Sequence, residues 1–206
     1  MSKTKKSSGS KLMKTVQLAL LSAIIVVMAY TPIGYLRTGT VEITFITVPV
    51  IVGAIVLGPS AGAFLGAVFG VTSFLQCFGM SPFGAALLGI SPLYTFIVCI
   101  PTRILMGWFC GLIFKALNKK SKNSKVWKLS ISSLCGALLN TLFFVGAFIA
   151  LFRNTDYFAQ LSAGKNLLAF IVAFVGINGL IEAGVCFVVA TAVAKALLVM
   201  NKKMRI

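Results

Sequence analysis

Long apolar runs separated by short polar connections dominate the chain, lying near 13–30, 43–58, 60–77, 92–117, 127–150 and 166–198. A membrane-crossing helix needs about 20 mostly apolar residues, and about 17 at the least. Each run therefore predicts a transmembrane helix, the second and third being short and joined almost directly. The junction Gly58-Pro59-Ser60 explains the join. Pro cannot continue the preceding helix, Gly supplies a permissive backbone, and Pro suits the first turn of the next helix. The expected fold is an all-α integral membrane protein, a bundle of six transmembrane helices. Residues 1–206 form one membrane domain, since no linker or polar insertion is long enough to fold alone.

Composition fixes the solvent as lipid: 11% of the residues are charged, against about 25% in a soluble domain. The excess of 19 Lys and Arg over 3 Asp and Glu would suggest nucleic acid in a soluble protein, but position overrides the sum, and no nucleic-acid partner is expected. Lys3, Lys5, Lys6, Lys11 and Lys14 precede the first run. Lys115, Lys119, Lys120, Lys122, Lys125 and Lys128 surround one connection, and Lys195, Lys202, Lys203 and Arg205 close the chain. Six crossings put all three clusters on one side, so the positive-inside rule makes both termini cytoplasmic and the lysines contacts for anionic membrane lipids. The first run follows a basic stretch but lacks a small-residue cleavage site, and is read as a retained helix. Cys77, Cys99, Cys110, Cys135 and Cys186 lie inside apolar runs without metal-ligand spacing, and read as small buried residues.

Two features inside the runs carry more information. Gly62, Gly66 and Gly70 put one glycine on each turn of one helix face, which reads as close helix packing, with a pore lining as the alternative. Ala19 and Ala23 make a similar small-residue pair on the first helix. Polar groups in the membrane are costly, about 2.5 to 3.5 kcal/mol for a charge at a helix centre. Arg103 and Glu182 are the two clear charges. At 1.5 Å per residue, Arg103 lies roughly 16 Å below the outer end of its helix, Asn140 roughly 15 Å and Asn178 roughly 18 Å. Asn178 and Glu182 share a helix face four residues apart. This layer is either a buried Arg103–Glu182 pair with asparagine partners or a ligand site.

The outer loops 31–42, 78–91 and 151–165 favour a ligand. They and their edges carry Tyr35, Arg37, Thr40, Glu42, Gln76, Phe78, Asn154 and Tyr157, the mixture of aromatic surface and placed polar groups that binds small molecules. The chain has no histidine, phosphate loop or close carboxylate pair. An enzyme is therefore not expected, nor a cofactor or metal, and any ATP used in transport would be hydrolysed by another polypeptide.

With these residues in place, the chain resembles the substrate-binding S components of energy-coupling factor (ECF) transporters. The similarity rests on the basic amino terminus, the Ala19-xxx-Ala23 pair, VPVIVGAIVLGPSAGAFLGAVFGVTSF over 48–74, PTRILMGW over 101–108, and NGLIEAG over 178–184. The glycine-rich block looks most like the pantothenate-type members, and riboflavin and pyrimidine-precursor binders share a similar shape. The resemblance implies a vitamin-binding subunit without ATPase activity in the bacterial plasma membrane. It would work with a transmembrane coupling protein and two cytoplasmic ATPases, and Ala19 and Ala23 match the face that meets the coupling protein. An ion-coupled carrier using Glu182 and an oligomeric channel are the alternatives from other classes.

Overall fold

The computed structural model describes residues 2–32, 34–38, 41–119, 126–162 and 166–203; the side chains of 2–11, 35–38, 41–43, 167–168, 173–174, 177–178 and 202–203 lie outside that description. The chain runs α1 (Ser2–Ala29), β1 (Tyr35–Thr38), β2 (Val41–Thr44), α2 (Thr47–Leu57), α3 (Pro59–Gln76), α4 (Pro82–Ile90), α5 (Pro92–Lys119), α6 (Val126–Phe152), α7 (Asp156–Ser162) and α8 (Leu167–Val185). A π-helical turn (Cys186–Ala190) then leads into α9 (Thr191–Lys203). Among the described residues the fold is helical apart from one antiparallel hairpin, in which Tyr35 pairs with Thr44 and Thr38 with Val41. Among the described residues, Leu12–Ala29, Pro92–Lys119, Val126–Phe152 and Gly179–Asn201 are long and apolar enough to cross a membrane.

The second expected span is shorter than 43–58. β2 occupies its first residues and α2 has only 11. The β-branched stretch Val41-Glu42-Ile43-Thr44 satisfies the strand pattern as readily as the helical one, and Pro49 falls in the first helical turn, where a missing N–H costs nothing. The sixth expected span, 166–198, is interrupted. Gly176 departs from helical geometry (φ 12°, ψ −122°), and the π turn follows before α9 runs on to Lys203. The outer loops are also more ordered than their composition suggests. Within 78–91, Ser81 caps α4 by accepting from the Gly84 N–H at 3.2 Å, with Pro82 in the first turn. Asp156 opens α7 in the third loop.

At the α2–α3 junction Gly58 has φ 105°, a conformation that L-residues with a Cβ rarely adopt, and Pro59 begins α3 at once. α3 and α5 then pack antiparallel at backbone distance. A Cβ on Gly62 would overlap the Gly107 carbonyl, one on Gly66 the Arg103 carbonyl, and one on Gly70 would lie 2.7 Å from Ile100 Cα. The glycine face is thus consumed inside the chain and does not line a pore. Around this seam, Leu21 and Ile25 of α1, Val50 and Ile51 of α2, Leu65 and Phe69 of α3, and Met106 of α5 form the main core. A second cluster joins Leu87, Val98, Phe148, Phe152 and Phe170. Gln17 of α1 donates to Asn201 of α9 at 2.7 Å, tying the first helix to the last. Of the described lysines, Lys128 departs from its expected role at a lipid surface, being only 3% exposed.

Candidate functional site

Pro101 interrupts the hydrogen-bond ladder of α5 because it has no N–H to offer the preceding turn. In that turn the Val98 carbonyl accepts from the Thr102 hydroxyl and from Arg103 Nη1, the latter at 3.1 Å, and Arg103 Nη1 also lies 3.1 Å from Thr102 Oγ1. The guanidinium is therefore drawn back along its own helix toward the N-terminus of α5, the direction helical side chains take. It is 6% exposed. Aromatic rings from two other helices face it. Arg103 Cζ lies 4.4 Å from the Phe144 centroid of α6 and 5.2 Å from that of Phe69 on α3. Each is within cation–π range, worth about 2 kcal/mol where water is excluded.

Asn140 is one helical turn from Phe144 on α6, so the two side chains share a face. Asn140 Nδ2 donates to Glu182 Oε1 of α8 at 3.0 Å. One face of α6 thereby touches both buried charges, Arg103 through a ring and Glu182 through an amide. Arg103 lies within electrostatic reach of the Glu182 carboxyl, but the side chains that hydrogen-bond to Glu182 are Asn140 and Thr47. Thr47 of α2 reaches the same layer, its hydroxyl 3.4 Å from Cys186 Sγ and donating to the Thr44 carbonyl at 3.0 Å. Asn140 Oδ1 is buried with no hydrogen-bond partner among the described residues, which leaves an acceptor inside the layer.

Of the residues expected at the site, Arg103, Asn140 and Glu182 are brought together. Gln76 is buried at the end of α3, and its amide donates to the Ala29 carbonyl of α1. Phe78 is exposed and packs edge-on to Phe74 at 5.5 Å. Asn154 is exposed in the turn after α6. Tyr157 is half-buried on α7, 6.3 Å from Phe83 of α4, and burial pushes its hydroxyl pKa up, so it stays a neutral phenol. Thr40, and the side chains of Tyr35, Arg37, Glu42 and Asn178, lie outside the described residues. Ala19 and Ala23 are exposed on α1, opposite the face that buries Leu21 and Ile25.

Phe69, Phe144, Thr47 and Thr102 were not among the expected site residues. Thr102 was legible beside Pro101 and Arg103, whereas nothing in the pattern singles out Phe69 and Phe144 from 17 phenylalanines. Above the polar layer, aromatic rings join α4, α6, α7 and α8, with Phe83 5.5 Å from Phe148 and Phe158 4.9 Å from Phe170. At the other end of α5 an open groove of 770 Å³ is lined by Gly58, Pro59, Lys115, Asn118 and Lys119. Lys115 is roughly 18 Å along the helix from Arg103, so that groove is separate from the layer.

Sequence comparison gives these features a family. Over residues 13–194 the chain matches the family described as ECF transporter, substrate-specific component. It is 30% identical over 169 residues to the pantothenic acid transporter PanT of Lactococcus lactis subsp. cremoris, covering 76% of this chain and 78% of that protein. It is 27% identical over 179 residues to the pantothenate transporter PanT of Leuconostoc mesenteroides subsp. mesenteroides, covering 86% and 85%. The chain belongs to the substrate-specific components of ECF transporters.

Proposed function

We propose that this chain is the pantothenate-binding subunit of an ECF importer, holding the vitamin's carboxylate on Arg103. The observation that carries the reading is a buried guanidinium set between two aromatic rings, beside the Asn140–Glu182 hydrogen bond, under the ring cluster of the outer helices. A guanidinium offers a planar fork to a carboxylate, which an ammonium cannot copy. Asn140 Oδ1 offers an acceptor for a ligand hydroxyl or amide N–H. The names of the two relatives point to the same ligand.

In this reading the chain crosses the membrane six times, α2 and α3 forming one tight pair and α8–α9 the last crossing, with both termini cytoplasmic. The lysine clusters support that orientation. Ala19 and Ala23 form the face that docks a transmembrane coupling protein, and two cytoplasmic ATPases drive the import cycle.

The test is a thermal-shift screen of the purified chain against pantothenate, riboflavin and other B vitamins. A ligand bound only by the folded state stabilises it by about 2.7 kcal/mol at a hundredfold excess over Kd. Pantothenate should raise the melting temperature. Arg103→Lys should weaken binding by about two to three and a half powers of ten, the equivalent of 3 to 5 kcal/mol for breaking a buried charged contact. A shift with a different vitamin and none with pantothenate would reassign the ligand. Gradient-driven accumulation by proteoliposomes holding this chain alone would replace the importer-subunit reading with an ion-coupled carrier.

A further inference from the structure

Arg103 is held in two different ways. Along its own helix it bonds to groups that move with it, the Val98 carbonyl and the Thr102 hydroxyl. Across the bundle its guanidinium lies against rings carried by other helices. Phe69 is completely buried within the main core and sits on α3, whose backbone is locked to α5 by the glycine seam. Phe144 differs. It sits on α6, is only partly buried, and has the shorter separation, 4.4 Å against 5.2 Å. It is also one turn from Asn140, the side chain that contacts Glu182.

We propose that Phe144 is a positioning residue that makes the site prefer acids over neutral analogues, by holding the Arg103 guanidinium in the orientation that receives a carboxylate. The inference rests on the pantothenate reading above and adds a cause for selectivity. The Phe144 ring, 4.4 Å from Cζ, restricts the guanidinium, and a guanidinium whose plane is fixed can meet a carboxylate bidentately. Without the ring the guanidinium keeps its bonds to Val98 and Thr102 but loses the face that fixes the tilt of its plane, and settling that tilt when the ligand arrives costs affinity. That loss falls on an acid, which draws its affinity from the cation. The neutral alcohol in which hydroxymethyl replaces the carboxylate loses only the packing of one side chain.

The experiment measures Kd for pantothenate and for that alcohol with wild type, Phe144→Leu and Phe144→Trp. The acid-to-alcohol affinity ratio should fall about tenfold in Phe144→Leu and stay within about twofold of wild type in Phe144→Trp, which keeps a π face. Where Phe144→Leu does not fold, Phe144→Met supplies the ring-free variant. A purely structural role for Phe144 weakens both ligands together and leaves the ratio unchanged, which overturns the proposal, as does an equal fall of the ratio in the leucine and tryptophan variants. Wild type that binds neither compound overturns the ligand reading and the selectivity claim with it. Wild type that binds pantothenate while the ratio ignores Phe144 overturns the selectivity claim alone.

Discussion

Gly66→Ala places a methyl where α3 crosses the backbone of α5 at Arg103. The new Cβ would lie 2.8 Å from the Arg103 carbonyl carbon and 3.1 Å from Ile104 Cα, and would overlap the Arg103 carbonyl oxygen. Carbon contacts are comfortable at about 3.5 to 4.0 Å, so the helices must part locally by roughly 1 Å. Overpacking of this kind costs about 1 to 3 kcal/mol. For a chain of this length that is about 2 to 12 °C in melting temperature. The backbone that moves carries Arg103, so the guanidinium shifts against Phe69 and Phe144, and pantothenate affinity should fall beyond what lost stability explains. The control is Gly146→Ala on α6, where an added Cβ meets nothing within 4 Å. It should be neutral, or stabilising by up to about 1 kcal/mol through helix propensity. The assay is a melting curve and a ligand titration on both variants in one detergent. A Gly66→Ala protein that melts with wild type and binds pantothenate normally would refute the close seam and its hold on Arg103.

Gly58→Ala should lower the melting temperature although the space around it is open, because φ 105° with ψ 178° is strained for any residue with a Cβ, at about 1 to 3 kcal/mol; unchanged melting would show that the α2–α3 turn relaxes. Asn140→Leu removes the Asn140 hydrogen bond from the Glu182 carboxyl, leaving Thr47, and should cost the apo protein about 1 to 3 kcal/mol, while Asn140→Leu/Glu182→Leu should recover most of that, since apolar groups replacing both partners are nearly neutral. Equal melting of the single and double variants would place the contact outside the folded core. Replacing Ala19 and Ala23 together by Leu should abolish uptake in cells while the purified chain still binds ligand; normal uptake would remove the docking role from that face.

Much of this architecture is legible in the residues, and the parts that are not share a cause. The Gly58-Pro59 break, the glycine face, the common depth of Arg103 and Asn140, and the place of Glu182 one turn beyond Asn178 follow from local rules and helical rise, which need no knowledge of neighbours. Residues 41–46 were assigned in part to a helix because a short apolar β-branched run fits both periodicities. The Gly176 break went unnoticed because a lone glycine in a membrane helix is common and usually tolerated. The setting of Gln76 is hidden from the sequence for a different reason. Its partner is one of the carbonyls that every helix leaves unpaired at its C-terminus, and only the packed bundle decides that the end of α1 lies beside the end of α3. The rings around Arg103 belong to the same class, being contacts between helices distant in sequence.

The brevity of α2 bears on how the chain enters the bilayer during synthesis. Eleven residues rise only about 16 Å, roughly half the hydrocarbon thickness of about 30 Å. As it leaves the ribosome α2 is therefore too short to partition into lipid as an independent helix. With Gly58 turning directly into Pro59, no linker lets it wait in water for a later partner. On the proposed six-crossing arrangement, α2 and α3 would enter lipid as one hairpin, with the glycine face of α3 uncovered until α5 emerges. The interval between α3 and α5 is when the nascent chain is most exposed to wrong helix partners.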